Sequence, residues 1–327
     1  SKLIMSRWVL IGGAGLTGLK ISEDLINSKV PKSKIIIADL KKPLKNVNLK
    51  VTKVFCDISK NILPKFEKND IIIHLAARQY HLKVPNKNQL SWFREVNVTG
   101  TQNVINHCLK YKVKGLIFFS TDMVYGIPTF IPLTTNHPKN PIGPYGKSKL
   151  EAEELCFLAR EKGLAITILR PRLIMGKGRL GVMKKLFTSI FNNLPVPLIG
   201  SGKNSYQMIS VYDCSKATLL SVEKNFPNFE LNLGSEIGPN VKDLLSLLIK
   251  RVYSKSIIIP LPAFPLKIVL NLMEKIGFPI LYKEQYKIAD KNYIVDISDT
   301  YSKISWKPKY SDKDMIIEAY NYWKNIK

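Results

Sequence analysis

The stretch Val9-Leu10-Ile11-Gly12-Gly13-Ala14-Gly15-Leu16-Thr17-Gly18 constrains this chain more than any other. A short apolar run reads as a buried strand. Glycines follow at 12, 15 and 18, and a helical pattern starts at once. Gly12 permits a tight turn, Gly15 removes a Cβ that would block a phosphate, and Gly18 lets helix and strand pack closely. The helix N-terminus, with Leu16 and Thr17 in its first turn, offers free N–H groups and a positive dipole end to an anion. A second apolar strand over 34–38 leads to Asp39, whose carboxylate can accept both hydroxyls of an adenosine ribose. Strand, glycine turn, helix, strand and acid together predict a dinucleotide-binding unit.

The alternation continues. Apolar strands are expected at 7–11, 34–38, 50–55, 71–75, 115–120 and 165–170, and most are β-branched without polar alternation. That pattern suits strands covered on both faces. Helices are expected at 16–28, 90–111 and 145–162, with a short helical turn near 62–68. This specifies an α/β fold, a Rossmann-type doubly wound parallel sheet. The dinucleotide-binding domain is expected over 1–175. Residues 206–234, with a strand at 208–211, a helix at 213–224 and a strand at 230–233, should return to the main sheet. Residues 176–205 and 235–327 should form a smaller substrate-binding lobe. Asn240 is a good N-cap for a helix over 241–253, and an amphipathic helix follows Ser311.

The chain has 327 residues and 45% apolar content, enough for that architecture. Its net charge is +25, from 50 Lys+Arg against 25 Asp+Glu. The excess is mostly lysine and scattered, which argues against a nucleic-acid partner. It leaves attraction to anionic substrates or to an anionic membrane surface. Cys56, Cys108, Cys156 and Cys214 lie far apart and form no CxxC pair. Reduced thiols in a cytoplasmic setting are expected, with no metal site. The N-terminus does not read as a signal peptide. Segment 260–282 is apolar but carries prolines and charges, so it is not a membrane span. It reads as a helix lining the substrate lobe, with interfacial membrane contact as the alternative.

Tyr145-Gly-Lys-Ser-Lys149 places a phenol and an ammonium four residues apart on one helical face. An ammonium beside the phenol would lower the tyrosine pKa, so that Tyr145 could exchange a proton with a carbinol oxygen. Upstream, Ser120-Thr121-Asp122-Met123 follows a strand end, where open parallel sheets bind ligands. Ser120 and Thr121 could then hydrogen-bond a reacting oxygen. His74 and His81 are read as structural.

At this point the chain resembles the extended short-chain dehydrogenase/reductase superfamily, in its NAD-dependent epimerase/dehydratase branch. The resemblance covers nearly the whole length. It rests on the glycine motif, Asp39, Cys56-Asp57-Ile58, His74-Leu75-Ala76-Ala77, Val96-Asn97-Val98-Thr99-Gly100-Thr101, the Thr121/Tyr145/Lys149 set, Arg170-Pro171-Arg172 and Val211-Tyr212-Asp213. It implies NAD as cofactor, with Asp57, Ile58, Leu75, Ala76, Ala77, Asn97, Ser120, Tyr145, Lys149 and Pro171 joining the glycine loop and Asp39 around it. Asp39 would repel a 2′-phosphate, while Lys41 and Lys42 leave NADP open. It implies Thr121, Tyr145 and Lys149 as catalytic residues, and helices 90–111 and 145–162 as a homodimer interface. Val104, Cys108, Leu150, Leu155 and Leu158 are its candidate apolar contacts.

The departures bear on the substrate. The segment is similar to that of nucleotide-sugar 4,6-dehydratases, where an acidic pair serves elimination, but Met123 replaces the glutamate. Leu173 and Tyr206 stand where similar 4-epimerases hold a diphosphate with Asn and Arg. Lys177, Arg179 and Lys203 are possible substitutes, and Asp122, Met123, Arg172, Lys177 and Tyr206 are the expected substrate-binding set. The leading expectation is an NAD-dependent nucleotide-sugar epimerase, of 4-epimerase type, working by transient oxidation of a sugar hydroxyl. The alternative is a dehydrogenase or reductase of a hydroxysteroid-like or other apolar alcohol. A 4,6-dehydratase ranks third.

Overall fold

The computed structural model describes residues 2–41, 49–180 and 182–327; Lys42, named above, lies outside them. Seven strands form the main sheet: β1 (Trp8–Ile11), β2 (Ile35–Asp39), β3 (Thr52–Phe55), β4 (Ile71–His74), β5 (Gly115–Phe119), β6 (Ile166–Pro171) and β10 (Glu230–Leu233). Their order is β10-β6-β5-β4-β1-β2-β3, and every pairing is parallel. Two short pairs stand outside it. They are β7 (Leu173–Met175) with β9 (Met208–Ser210), and β8 (Val196–Ile199) with β11 (Ile258–Leu261).

Among the described residues, the α-helices are α1 (Lys2–Met5), α2 (Leu16–Asn27), α3 (Gln89–Arg94), α4 (Thr101–Tyr111), α5 (Pro144–Glu161), α6 (Met183–Phe191), α7 (Val211–Glu223), α8 (Val241–Arg251), α9 (Ala263–Lys275), α10 (Lys283–Tyr286), α11 (Ser298–Ile304) and α12 (Asp312–Asn325). Because successive side chains of a strand point to opposite faces, each strand feeds two cores. Trp8 and Leu10 pack with Ile21, Cys214 and Ala217 of α2 and α7. Val9 and Ile11 pack with Val104, Cys108, Ala152 and Cys156 of α4 and α5. β1, β4 and β5 are therefore buried throughout, and only the edge strand β3 is largely exposed. A third core joins α6, α8, α12 and β8, with Phe187, Leu248, Ile316 and Trp323 at its centre. The Asn240 side chain caps α8 as expected, and Ser311 is the N-cap of α12.

Three expectations are corrected. No helix forms over 62–68; a 3₁₀ turn sits at Ile58–Lys60, opened by the Asp57 carboxylate accepting from Ser59 N at 3.1 Å. The segment 208–211 does not rejoin the main sheet: β9 pairs only with β7, and β10 alone returns. The helix expected over 90–111 is not uniform. A π-helical stretch, Glu95–Gly100, separates α3 from α4. Of the proposed dimer contacts, Val104 and Cys108 are spent on the internal core.

The glycine turn is held by contact as much as by conformation. Gly12 has φ +79°, and a Cβ there would lie 2.5 Å from Ala76 N. A Cβ on Gly18 would lie 2.5 Å from the backbone of Gly13. Gly12→Ala is expected to destabilise the fold by about 1–3 kcal/mol through its backbone conformation, before any clash is counted. Urea unfolding with an unchanged midpoint would show that the turn is not so constrained.

Candidate active site

The glycine loop, the ends of β1, β2, β4 and β5, and the start of α5 converge at one edge of the sheet. A Cβ on Gly15 would meet only Gly12 O, at 3.6 Å, so its side of the loop is open. Leu16 packs on the core and Thr17 is buried behind it in α2. Asp39 ends β2, and its Oδ2 accepts from Ala14 N at 2.9 Å, which ties the acid to the loop. Its other oxygen accepts from Lys41 N at 3.1 Å. Leu75 N and Ala76 N donate to Ile11 O, and the half-buried Leu75-Ala76-Ala77 run leaves β4 beside Gly12. Ile58 packs against Gly100, where a Cβ would lie 2.5 Å from Ile58 Cγ1. These residues form a cradle around the glycine turn, opening on the N-terminus of α2, with an acid at its far end. That cradle fits a dinucleotide.

Asn97 sits in the π-helical stretch, and such bulges recur at functional sites. Its Oδ1 accepts from Arg78 N at 2.8 Å, and its Nδ2 donates to Arg78 O and to Ser148 Oγ at 3.1 and 2.9 Å. Ser148 Oγ in turn donates to Tyr145 O at 2.8 Å. The side chain thus fixes the loop after β4 against α5.

Pro144 opens α5 and Tyr145 follows it. The Thr121 side chain, just after the β5 strand end, lies near the Tyr145 phenol, and its hydroxyl donates to Asp122 Oδ1 at 3.2 Å. Thr121 Oγ1 also accepts from Met123 N at 3.2 Å, capping the turn that follows. Burial raises the Tyr145 pKa above the usual phenol value. The Arg179 charge and the nearby Thr121 side chain pull against it, and the Glu284 charge adds to it. The net direction is upward, opposite to the lowering expected from Lys149. Lys149 Nζ instead donates to Phe119 O at 2.7 Å, and burial lowers its own pKa to about 8.

Ser120 is also placed otherwise than expected. Its hydroxyl donates to Glu153 Oε1 at 2.5 Å, inside a buried Glu153–Arg170 pair. Pro171 is buried at the end of β6, beside Leu233. Asp122 and Arg172, both expected to meet substrate, pair with each other in the interior. The Arg172 guanidinium lies over the rings of Tyr206 and Tyr293, at 4.6 and 4.2 Å from their centres. Met123 packs partly buried beside Tyr145. Lys177 is mostly exposed and lies 3.8 Å from Glu318 of α12, away from this group. Arg179 reaches the site instead, donating to Gln79 Oε1 at 3.0 Å. His74 is structural, with Nε2 2.9 Å from Thr101 Oγ1 and its pKa lowered to about 3 by burial.

With this geometry in place, the comparisons decide the family. Residues 8–234 match the model of the NAD dependent epimerase/dehydratase family. The chain belongs to that family. It is an enzyme family, and its cofactor is the NAD that the cradle fits. The UDP-glucose 4-epimerase of Vibrio cholerae is 26% identical over 249 residues, 73% of this chain and 72% of that protein. The dTDP-D-glucose 4,6-dehydratase of Dictyostelium discoideum is 30% identical over 261 residues, 72% of this chain and 59% of that protein. The UDP-glucose 4-epimerase of Thermotoga maritima, solved with UDP-glucose, has the same fold. Its TM-score is 0.76 at 23% identity, covering 98% of this chain and 99% of that one.

The residue that sequence reading missed is Glu284 of α10. It is buried, and its Oε1 and Oε2 accept from Tyr145 N and Gly146 N, each at 2.9 Å. The Tyr80 hydroxyl donates to the same carboxylate. Gly143 and Gly146 leave the room: a Cβ on either would lie 2.5 or 3.0 Å from Glu284. Those two glycines around Tyr145 were a legible sign of close approach, but nothing local named the partner.

Glu284 is a positioning residue for Tyr145. Glu284→Gln keeps one acceptor where three donors converge, and is expected to cost about 1–3 kcal/mol. It also removes a negative charge that raises the Tyr145 pKa. A base acts when deprotonated, so the acid limb of the kcat/KM profile should move to lower pH. A purely structural role would lower stability and leave that limb in place.

Proposed function

We propose that the protein is an NAD-dependent nucleotide-sugar 4-epimerase. The observation that carries this reading is the placement of Tyr145, at the start of α5, beside the Thr121 turn that ends β5, next to the glycine turn. Tyr145 takes the hydroxyl proton from the sugar and returns it after the sugar has turned. Thr121 holds the oxygen between these steps. NAD, when bound, supplies the acceptor and donor of hydride. Lys149 holds positive charge behind the site. The named relatives and the solved neighbour, which act on or were solved with nucleoside-diphosphate sugars, support this substrate class.

Elimination of water is disfavoured by two side chains. Met123 offers no base. Protonated Asp122, the remaining acid, would leave Arg172 buried without its counter-ion, and breaking such a pair costs about 3–5 kcal/mol. The same reading carries a homodimer through α4 and α5, supported by Leu158, which stays exposed on α5. It also carries a cytoplasmic setting, supported by four buried, unpaired thiols.

UDP-glucose and UDP-galactose are expected to interconvert on the wild-type protein, followed by chromatography of the sugars. Tyr145→Phe should abolish this while retaining NAD, because the ring still packs. Formation of a 4-keto-6-deoxy sugar by the wild type would reverse the order of epimerase and dehydratase. Full activity in Tyr145→Phe would remove the tyrosine from the chemistry.

A further inference from the structure

The helix α9 turns its apolar side outward. Phe264, Ile268, Leu272 and Ile276 recur every four residues from the helix into its C-cap, so they form one stripe. They are 79%, 47%, 55% and 68% exposed, and Leu270 is the helix's one buried residue. A surface helix ordinarily turns such a stripe toward the core. Phe278 and Ile280 extend the exposed apolar surface beyond the helix.

The surroundings of the stripe are basic. Lys275 and Lys283 are exposed at its end, as are Lys83 and Lys87 on the loop whose Asn86 faces Gly277. Lys185 donates to Ile280 O at 2.5 Å from the other side. The two carboxylates of the segment 250–287 offer little balance. Glu284 is buried at Tyr145, and Glu274 accepts from Lys283 N at 3.0 Å. Lys267 is paired with Asp290. An apolar stripe with a lysine rim, on a chain of net charge +25, matches the chemistry of an anionic lipid surface.

The stripe is continuous with the active site. Past the helix, Tyr282 stacks on Tyr80 at 4.3 Å between ring centres, and Tyr80 meets Tyr145 edge-on at 5.9 Å. A surface that holds α9 therefore lies beside the mouth of the site. A second copy of the chain is a poorer occupant. A two-fold contact would bring the lysine rim against itself.

We propose that the outward face of α9 and its lysine rim form a peripheral docking surface for an anionic lipid bilayer. The inference is independent of which sugar, or which reaction, the site serves.

The test is co-sedimentation of the full chain with phosphatidylcholine vesicles and with phosphatidylcholine–phosphatidylglycerol vesicles, at low and high salt. Wild type should bind the anionic vesicles, weakly the neutral ones, and release as salt rises. The double variant Phe264→Glu/Leu272→Glu changes only exposed side chains and should bind at least tenfold less. Lys275→Glu should weaken binding about fivefold or more, since it reverses one surface charge. Absence of vesicle binding by folded wild type would overturn the proposal. So would light scattering that shows wild-type dimers which the double variant splits. Epimerase activity on a soluble nucleotide sugar is read separately, so its loss or presence bears on the reaction and not on docking.

Discussion

A single buried carboxylate ties α10 to the start of α5. Glu284 comes from α10, next to the outward helix α9, and its oxygens satisfy the first free N–H groups of α5. Helix N-termini leave such donors unpaired, and an anion there is favoured by the helix dipole. Tyr145 is the second residue of α5, so the carboxylate that caps the helix also fixes the backbone of the phenol-bearing residue. The Tyr80 hydroxyl and the Tyr80–Tyr282 stack close the same junction from the loop after β4. Movement of α10 would release three donors together, and each would need a new acceptor.

Burial and charge oppose each other at the phenol, and burial wins in this structure. Tyr145 is pushed up by its apolar surroundings and by Glu284, against the pull of Arg179 and Thr121. Lys149 is drawn toward the carbonyl of Phe119 and lies over the Phe118 ring at 4.3 Å. The spacing of tyrosine and lysine puts both on one face, but spacing does not choose which acceptor the ammonium takes. Two other buried cations are settled by carboxylates, Arg170 by Glu153 and Arg172 by Asp122.

What the sequence disclosed follows the reach of its interactions. The glycine turn, the buried parallel strands, the Asn240 cap, the helix after Ser311 and the placement of Tyr145 on α5 depend on neighbours a few residues apart. Those were legible. The Glu284 contact joins positions 139 residues apart, and the Asp122–Arg172 pair joins positions 50 apart. Local pattern carries no trace of either partner. Arg172 is expected to meet substrate from the family resemblance, and Lys177 as a possible substitute for the missing diphosphate-binding residues. The fold turned the first inward onto Asp122 and the second outward to Glu318.

The interior charges also explain what is left for a ligand to engage. Asp122, Glu153 and Glu284 each have their partners within the fold. Among the described residues, Lys149 is a buried cation answered by a carbonyl, with no carboxylate within ion-pair distance. Its pKa, lowered to about 8 by burial, records that the charged form is poorly compensated. An anionic or hydroxyl-rich partner brought to the cradle would meet an ammonium that no protein carboxylate has already neutralised. Selection for ligand and instability without it are then the same physical fact, seen at one side chain.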